Sequence, residues 1–563
     1  MVTPQDLGLP TEIKSWRPGQ YEAIEDIAEV LLKYLLGPTP ESRLKASVFA
    51  TLRHSFYLLD APTGVGKSII GIAATRRILQ GLNASKITID QSEPVRCIYL
   101  CKTKQLQDQI LSEFPEARTV KGRTNYPCSL AHNKFPKVTA EDCIEGCPLR
   151  KPENQVNCPY LHAKNQALAA PIAVLNQSYF LAEANGPGQF GSNSMLIVDE
   201  VDTLENELLS HIQLTVTQKL LDQLKHYPEN YDELTSWREW VVSAPIDRLV
   251  ERSEKQMPLL FDPRSGTFLG DMTDSQIEIY KGIVRLRALQ RKLNRFAMEV
   301  SDNWVFYEEK NDKGEISWIF KPVFISDYAF GYCWKHTKCV LGMSGTILDH
   351  KLMSDSLGIP LEEVKYHRIP SLFPPEKRLV YYQGVANLTR DTLNSELPKI
   401  AEAVDGLLLK HAWDKVLVHT TSYQIRDYLI ANLTPSWRFI THGRENRAEK
   451  LEEFKKSTIP LVMLSPSFDR GVSLEYDQCR AIIVCKIPYP NLADLQIKKR
   501  MEAPNGNLWY LTQAVRTIIQ MTGRGMRHEN DYVTSYILDT QFRRLFGRVR
   551  HLFPDWWQKA LRW

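Results

Sequence analysis

The chain has 563 residues, too many for one hydrophobic core, so two to four domains are expected. With 43% hydrophobic and 24% charged residues it reads as a globular protein, and a net charge of +4 confines any nucleic-acid surface to a local patch. No apolar run is long enough for a membrane span and no basic-then-apolar leader follows Met1, so the expectation is an intracellular protein whose ten cysteines are buried thiols or metal ligands rather than disulfides.

In chain order, Trp16-Arg17-Pro18-Gly19-Gln20 opens a helical stretch that runs through Leu35. A glutamine upstream of a phosphate loop can read the adenine edge, because its amide both donates and accepts. The apolar run Phe56-Tyr57-Leu58-Leu59 reads as a buried parallel strand. It leads into Ala61-Pro62-Thr63-Gly64-Val65-Gly66-Lys67-Ser68 and then into a helix. Strand, glycine-containing loop, Lys-Ser and helix make a phosphate-binding loop. Gly64 and Gly66 let successive N–H groups turn toward phosphate oxygens, and the helix N-terminus adds its positive dipole end. Lys67 is placed to reach the β- and γ-phosphates and Ser68 to ligate Mg²⁺.

Arg96–Cys101 is a second strand, ending in Lys102-Thr103 at a polar helix start. Next comes Lys121-Gly122-Arg123-Thr124-Asn125-Tyr126-Pro127-Cys128, followed by Cys143, Cys147 and Cys158. Four separated cysteines in a loop-rich insertion point to a metal site, either tetrahedral Zn²⁺ or a [4Fe–4S] cluster. The absence of paired C-x2-C knuckles favours the cluster. The other six cysteines (Cys97, Cys101, Cys333, Cys339, Cys479 and Cys485) lie in or beside apolar runs and read as small buried hydrophobes. Ile172–Asn176 is another strand. Ser194–Val198 is a further one and ends in Asp199-Glu200-Val201-Asp202. Downstream of a phosphate loop, Asp199 would hold Mg²⁺ through water and Glu200 would orient and deprotonate the attacking water.

From about 205 to 325 the periodicity is helical, with Ile277, Ile283, Leu286, Leu289, Leu293 and Phe296 on one face and Arg285, Arg291, Lys292 and Arg295 read as a solvated face. Trp304–Tyr307 and Ser317–Phe320 read as a hairpin around Asn311-Asp312-Lys313-Gly314. Val340–Leu348 carries Ser344-Gly345-Thr346, whose short hydroxyls can link a nucleotide site to a neighbouring domain. The second half repeats an α/β rhythm with strands at Lys415–Ser422, Leu461–Leu464, Ala481–Val484 and Val533–Leu538. Gln520-Met521-Thr522-Gly523-Arg524-Gly525-Met526-Arg527 puts two arginines and a glutamine where they can address one phosphate. The tail, from Arg543 to Trp563, is basic and aromatic.

This order of motifs resembles the iron–sulfur superfamily 2 helicases of the XPD/DinG type, nearer DinG, across nearly the whole chain. The resemblance implies an α/β fold of two RecA-like domains with parallel sheets, plus an iron–sulfur lobe and a helical arch inserted in the first. The implied division is 1–120, 163–205 and 326–350 for the first RecA-like domain, 121–162 for the lobe, 206–325 for the arch and 351–563 for the second domain. ATP with Mg²⁺ would sit between the domains. Lys67, Ser68, Asp199 and Glu200 come from the first domain. Gln520, Arg524 and Arg527 come from the second, with Arg527 as the arginine finger. Arg17 and Gln20 would recognise adenine. Cys128, Cys143, Cys147 and Cys158 would hold the cluster, and Arg123 would touch the strand. The activity implied is 5′–3′ movement on single-stranded DNA by a cytoplasmic, nucleoid-associated monomer acting on tailed or forked duplex, with an RNA:DNA hybrid left open. The alternatives are a nucleic-acid-dependent ATPase with little unwinding and a structural Zn²⁺ in place of the cluster. Two positions depart from the family: Val201-Asp202 stand where Ala-His is usual, and Ser473 where an aspartate is usual. Altered coupling between the domains is therefore expected.

Overall fold

The structure is a computed structural model that describes residues 2–36, 54–84, 96–131, 136–143, 147–255, 273–311, 313–434, 436–443, 445–468, 472, 474–526 and 530–563. The first sheet contains β1 (Ser55–Asp60), β2 (Cys97–Cys101), β3 (Arg118–Thr119), β4 (Ile172–Asn176), β5 (Asn193–Asp199), β9 (Thr337–Ser344) and β10 (Val364–Arg368), ordered β10-β1-β9-β5-β2-β4-β3 and parallel throughout. Between β5 and β9 the chain leaves for an insertion. Its strands β6 (Leu214–Thr217), β7 (Trp304–Lys310) and β8 (Ile316–Pro322) form a small antiparallel sheet beside the helix Asp274–Glu299. The second large sheet contains β11 (Val380–Ala386), β12 (Val416–His419), β13 (Phe439–Thr441), β14 (Val462–Ser465), β15 (Ala481–Val484), β16 (Thr534–Asp539) and β17 (Leu561–Arg562). Its order is β13-β14-β12-β15-β16-β11-β17, again parallel.

Two-sided burial explains why these strands are continuous apolar runs rather than alternating ones. All six residues of β1 are buried. Phe56 and Leu58 enter one core while Tyr57 and Leu59 enter the core on the opposite face. The second sheet repeats the pattern, with Leu417 on one side and Val416 and Val418 on the other. The fold class read from the sequence is therefore present. The first sheet reaches further than the sequence reading placed it. β10 pairs with β1, so the hand-over between halves lies after Arg368 rather than at residue 350. β6 was read as part of a helical stretch. Its four residues alternate buried and exposed, and they are strand because they pair with β8.

Cys97, Cys101, Cys333, Cys339, Cys479 and Cys485 are all buried. The helix Asp274–Glu299 buries Ile277, Ile283, Leu293 and Phe296 as its apolar spacing requires, and Leu286 and Leu289 pack at the edge of the core. Asp312 of the expected hairpin turn lies outside the described residues, while β7 and β8 pair around it. Among the described residues, no helix is long and apolar enough to cross a membrane.

Candidate nucleotide site and cysteine lobe

In parallel α/β sheets the carboxyl ends of the strands face the ligand crevice. Here β1 ends at the phosphate loop, β5 at Asp199 and β9 at Ser344, side by side in the sheet. Gly64 and Gly66 take φ of +88° and +84°, a region that costs other residues strain. The helix Lys67–Ala84 then starts directly at the loop lysine. Lys67 Nζ lies 3.7 Å from Glu200 Oε1. Glu200 itself adopts φ +53°, a left-handed conformation uncommon for a non-glycine residue, and its N–H donates to Asp199 Oδ1 at 2.9 Å. Asp199 is buried and accepts from the Tyr99 hydroxyl at 3.2 Å, and Ser68 is within hydrogen-bonding reach of the same hydroxyl. Burial pushes the Asp199 carboxyl up to about 6 against the opposing pull of Lys67. Lys67, Ser68, Asp199 and Glu200 thus form one group.

The residues expected to read adenine are turned onto the loop. Arg17 donates to the Gly64 carbonyl and Gln20 Nε2 to the Val65 carbonyl at 2.6 Å, while Gln20 Oε1 accepts from the Arg17 N–H at 2.8 Å. Both ends of the buried Gln20 amide are engaged with the chain itself. Beside them sits Phe373, from the connector between the two sheets. A Cβ added at Gly64 would meet its ring at 2.1 Å.

The last box residue is the main surprise. Asp202 is buried, and its carboxylate accepts from Ser344 Oγ at 2.6 Å, Thr346 Oγ1 at 3.3 Å and Gln520 Nε2 at 3.1 Å. Gln520 also donates to Thr346 Oγ1 at 2.9 Å, and Arg516 lies 3.7 Å from Asp202 while donating to the Thr346 carbonyl at 3.0 Å. The Ser-Gly-Thr segment and the second half are therefore joined through this aspartate. Sequence reasoning missed Arg516. Its signal was the spacing of four from Gln520, which puts both on one helical face. Arg524 donates to the Val472 carbonyl at 3.0 Å and lies beside buried His419, whose imidazole is pulled down to about 3 by burial and by that arginine. Arg527 and Ser473 lie outside the described residues.

Cys128, Cys143, Cys147 and Cys158 line one cavity of about 300 Å³, together with Arg123, Arg150, Tyr160 and Lys164. A hydrogen bond from Cys147, then Arg150 and Arg123, draw the Cys143 thiol toward thiolate. Arg123 pairs with Glu183 at 3.1 Å and lies over the Tyr160 ring, so its charge faces this cavity. Cys147 packs with Ile277 and Tyr280 of the helix Asp274–Glu299, joining the cysteine segment to the insertion between β5 and β9. Among the described residues no group of three or more His, Cys, Asp or Glu is placed to hold a single metal ion.

Comparison with known proteins agrees with this architecture. Residues 13–229 match the family described as type III restriction enzyme, res subunit, and residues 407–560 match the helicase C-terminal domain family. A probable ATP-dependent helicase of Methanocaldococcus jannaschii is 20% identical over 91% of this chain and 92% of its own length. The ATP-dependent DNA helicase chl-1 of Caenorhabditis elegans is 28% identical, over 17% of this chain and only 12% of the nematode protein. A solved XPD helicase structure superposes with a TM-score of 0.62 at 16% identity, covering 96% of this chain and 98% of its own. Xpd4 of S. tokodaii gives 0.54 at 15% identity, covering 97% and 99%. With one family matched in each half and a relative aligned along almost its whole length, these findings support an XPD/DinG-type superfamily 2 helicase.

Proposed function

We propose that this chain is an ATP-dependent DNA helicase that moves 5′ to 3′ along single-stranded DNA and opens tailed or forked duplex. The observation that carries this reading is the Asp202 cluster. It joins the end of the Asp-Glu box to the Ser-Gly-Thr segment and to Gln520 of the second half, so nucleotide chemistry and domain closure share one side chain.

Lys67 would bind the β- and γ-phosphates, and Ser68 and Asp199 would hold Mg²⁺, which neutralises the charge that develops on them. The 3.7 Å contact of Lys67 with Glu200 gives ATP a second effect. Phosphates that draw Lys67 away free the Glu200 carboxylate to accept the proton of the attacking water. Arg524 and Arg527 would approach from the second half, and Gln520, held on Asp202 and Thr346, would register closure rather than touch phosphate. Gln20 and Arg17 would brace the loop from outside and meet adenine by exchanging their present partners.

A cleft of about 1550 Å³ lies between the halves, lined by Lys102, Arg390, Lys486, Tyr489, Trp509 and Arg544 among others. Cations with interleaved aromatic rings suit a single strand bound through phosphates and stacked bases, with little sequence preference. The cysteine cavity fits a [4Fe–4S] cluster better than Zn²⁺. Four cysteines line it beside Arg123 and Arg150, and about 300 Å³ is far more room than one ion needs at its usual 2.3 Å Zn–S distance. Cys128, Cys143, Cys147 and Cys158 would be the ligands. The 5′–3′ polarity is supported by the family resemblance.

The test is unwinding of 5′-tailed and 3′-tailed duplexes by protein purified without oxygen, with the visible spectrum of the same sample. A brown protein that opens only the 5′-tailed duplex is the expected result. Opening of the 3′-tailed substrate overturns the polarity, and a colourless active protein overturns the cluster.

A further inference from the structure

The helix Gly506–Thr522 presents Trp509, Gln513, Arg516 and Gln520 at spacings of four, three and four, which puts them on one face. That face meets the first half at both ends. At one end Gln520 and Arg516 hold Asp202 and Thr346. At the other, the Trp509 indole donates to Glu205 Oε2 at 3.3 Å. Glu205 stands in the first turn of the helix Leu204–Ile212, three residues after Asp202, so both contact points belong to the continuation of the Asp-Glu box.

Arg500 clamps the Trp509 end. It is 5% exposed, forms an ion pair with Glu205, donates to Ser356 Oγ at 3.0 Å and lies 4.3 Å from the Trp509 ring centre. Its helix, Leu495–Glu502, abuts Gly506–Thr522 so tightly that a Cβ at Gly506 would meet the Arg500 carbonyl oxygen at 1.9 Å. Two more contacts dock the same helix onto the insertion: Gln496 donates to the Val323 carbonyl at 2.9 Å, and Lys321 pairs with Asp494 at 2.8 Å. Trp509 also lines the cleft between the halves.

We propose that Arg500 is a positioning residue that couples strand occupancy to ATP hydrolysis. A strand that engages Trp509 displaces or seats a rigid helix whose other end sets Asp202, and Arg500 fixes the relation between the two ends. Taken out of water, the Arg500–Glu205 pair is stable only while both partners stay together, so it forms with the halves closed and must break when they part. This inference rests on the helicase reading above.

The experiment measures ATP hydrolysis by Arg500→Gln and Arg500→Lys full-length proteins, with and without single-stranded DNA, together with strand binding by fluorescence anisotropy. For Arg500→Gln the expected result is basal hydrolysis and strand affinity near wild type, with the DNA-stimulated increment reduced about tenfold. Arg500→Lys, which keeps the charge, should recover part of that increment. Equal loss of basal and stimulated rates, or full stimulation in Arg500→Gln, overturns the proposal. Wild-type protein that hydrolyses ATP without any response to DNA overturns the helicase reading as well, which separates the two failures.

Discussion

In the first sheet, neighbouring strand ends already carry a lysine, a hydroxyl and two carboxylates within contact of one another. In the second sheet, the described residues contribute through hydrogen bonds to that group's neighbour, Asp202, rather than to the group itself. The difference separates chemistry from coupling. The first half holds Lys67, Ser68, Asp199 and Glu200 together around the buried Asp199. The second half supplies the contact that reports whether the two are together. A mutation on the chemical side should remove turnover, whereas one on the coupling side should change how turnover responds to the strand.

The largest expected effect is on the chemical side. Glu200→Gln should lower ATP turnover by about 10²–10³-fold while ATP still binds, as read by steady-state hydrolysis and by nucleotide binding. Lys67→Ala should lose binding as well. If either variant kept near-wild-type turnover, the division between the halves would fall.

Next is the lobe, which lies outside both halves of the comparison. Cys147→Ser should abolish the visible absorbance and duplex unwinding but leave strand-dependent hydrolysis in place. Loss of hydrolysis together with colour would mean that the lobe supports the first sheet itself.

Asp202→His, which restores the usual family residue, sharpens the comparison. Three donors converge on the Asp202 carboxylate with Arg516 at 3.7 Å, and an imidazole offers at most one acceptor. The exchange should therefore lower stimulated hydrolysis about tenfold instead of improving it, and depress the melting temperature. Improved unwinding would show that the aspartate is a defect rather than the linking group.

The smallest effect is on pH dependence. His419 is held neutral by burial and by Arg524, with its folded value about 3 against 6.5 unfolded. A base depressed in this way leaves the unfolded state binding more protons, so stability is lost as pH falls from about 6.5 toward 3. His419→Gln should make the decline in melting temperature shallower over that range, as followed by circular dichroism.

The chemical side was the more legible in the sequence. β1, the glycine turn and the Asp-Glu strand end announce themselves because buried parallel strands are unbroken apolar runs and a phosphate loop needs glycine at fixed places. Coupling was hidden. Asp202 looked like a departure from a motif, since a sequence shows which residue is missing and not which partners the replacement meets. Its partners lie more than 140 positions away, at Ser344 and Gln520. Short elements were hidden for a related reason. β6 and β17 have too few residues to show a period, and they exist because β8 and β11 lie beside them. Arg123 was read as a strand contact beside the first cysteine; the sequence did not show that Glu183 and Tyr160 engage it at the wall of the cysteine cavity.

The most direct test compares ATP hydrolysis by wild-type, Glu200→Gln and Gln520→Ala proteins with and without single-stranded DNA. The account predicts strong stimulation in wild type, turnover lowered about 10²–10³-fold in Glu200→Gln under either condition, and residual turnover with a blunted response to DNA in Gln520→Ala. Equal stimulation in Gln520→Ala and wild type would contradict it, because the second half would then not act through Asp202.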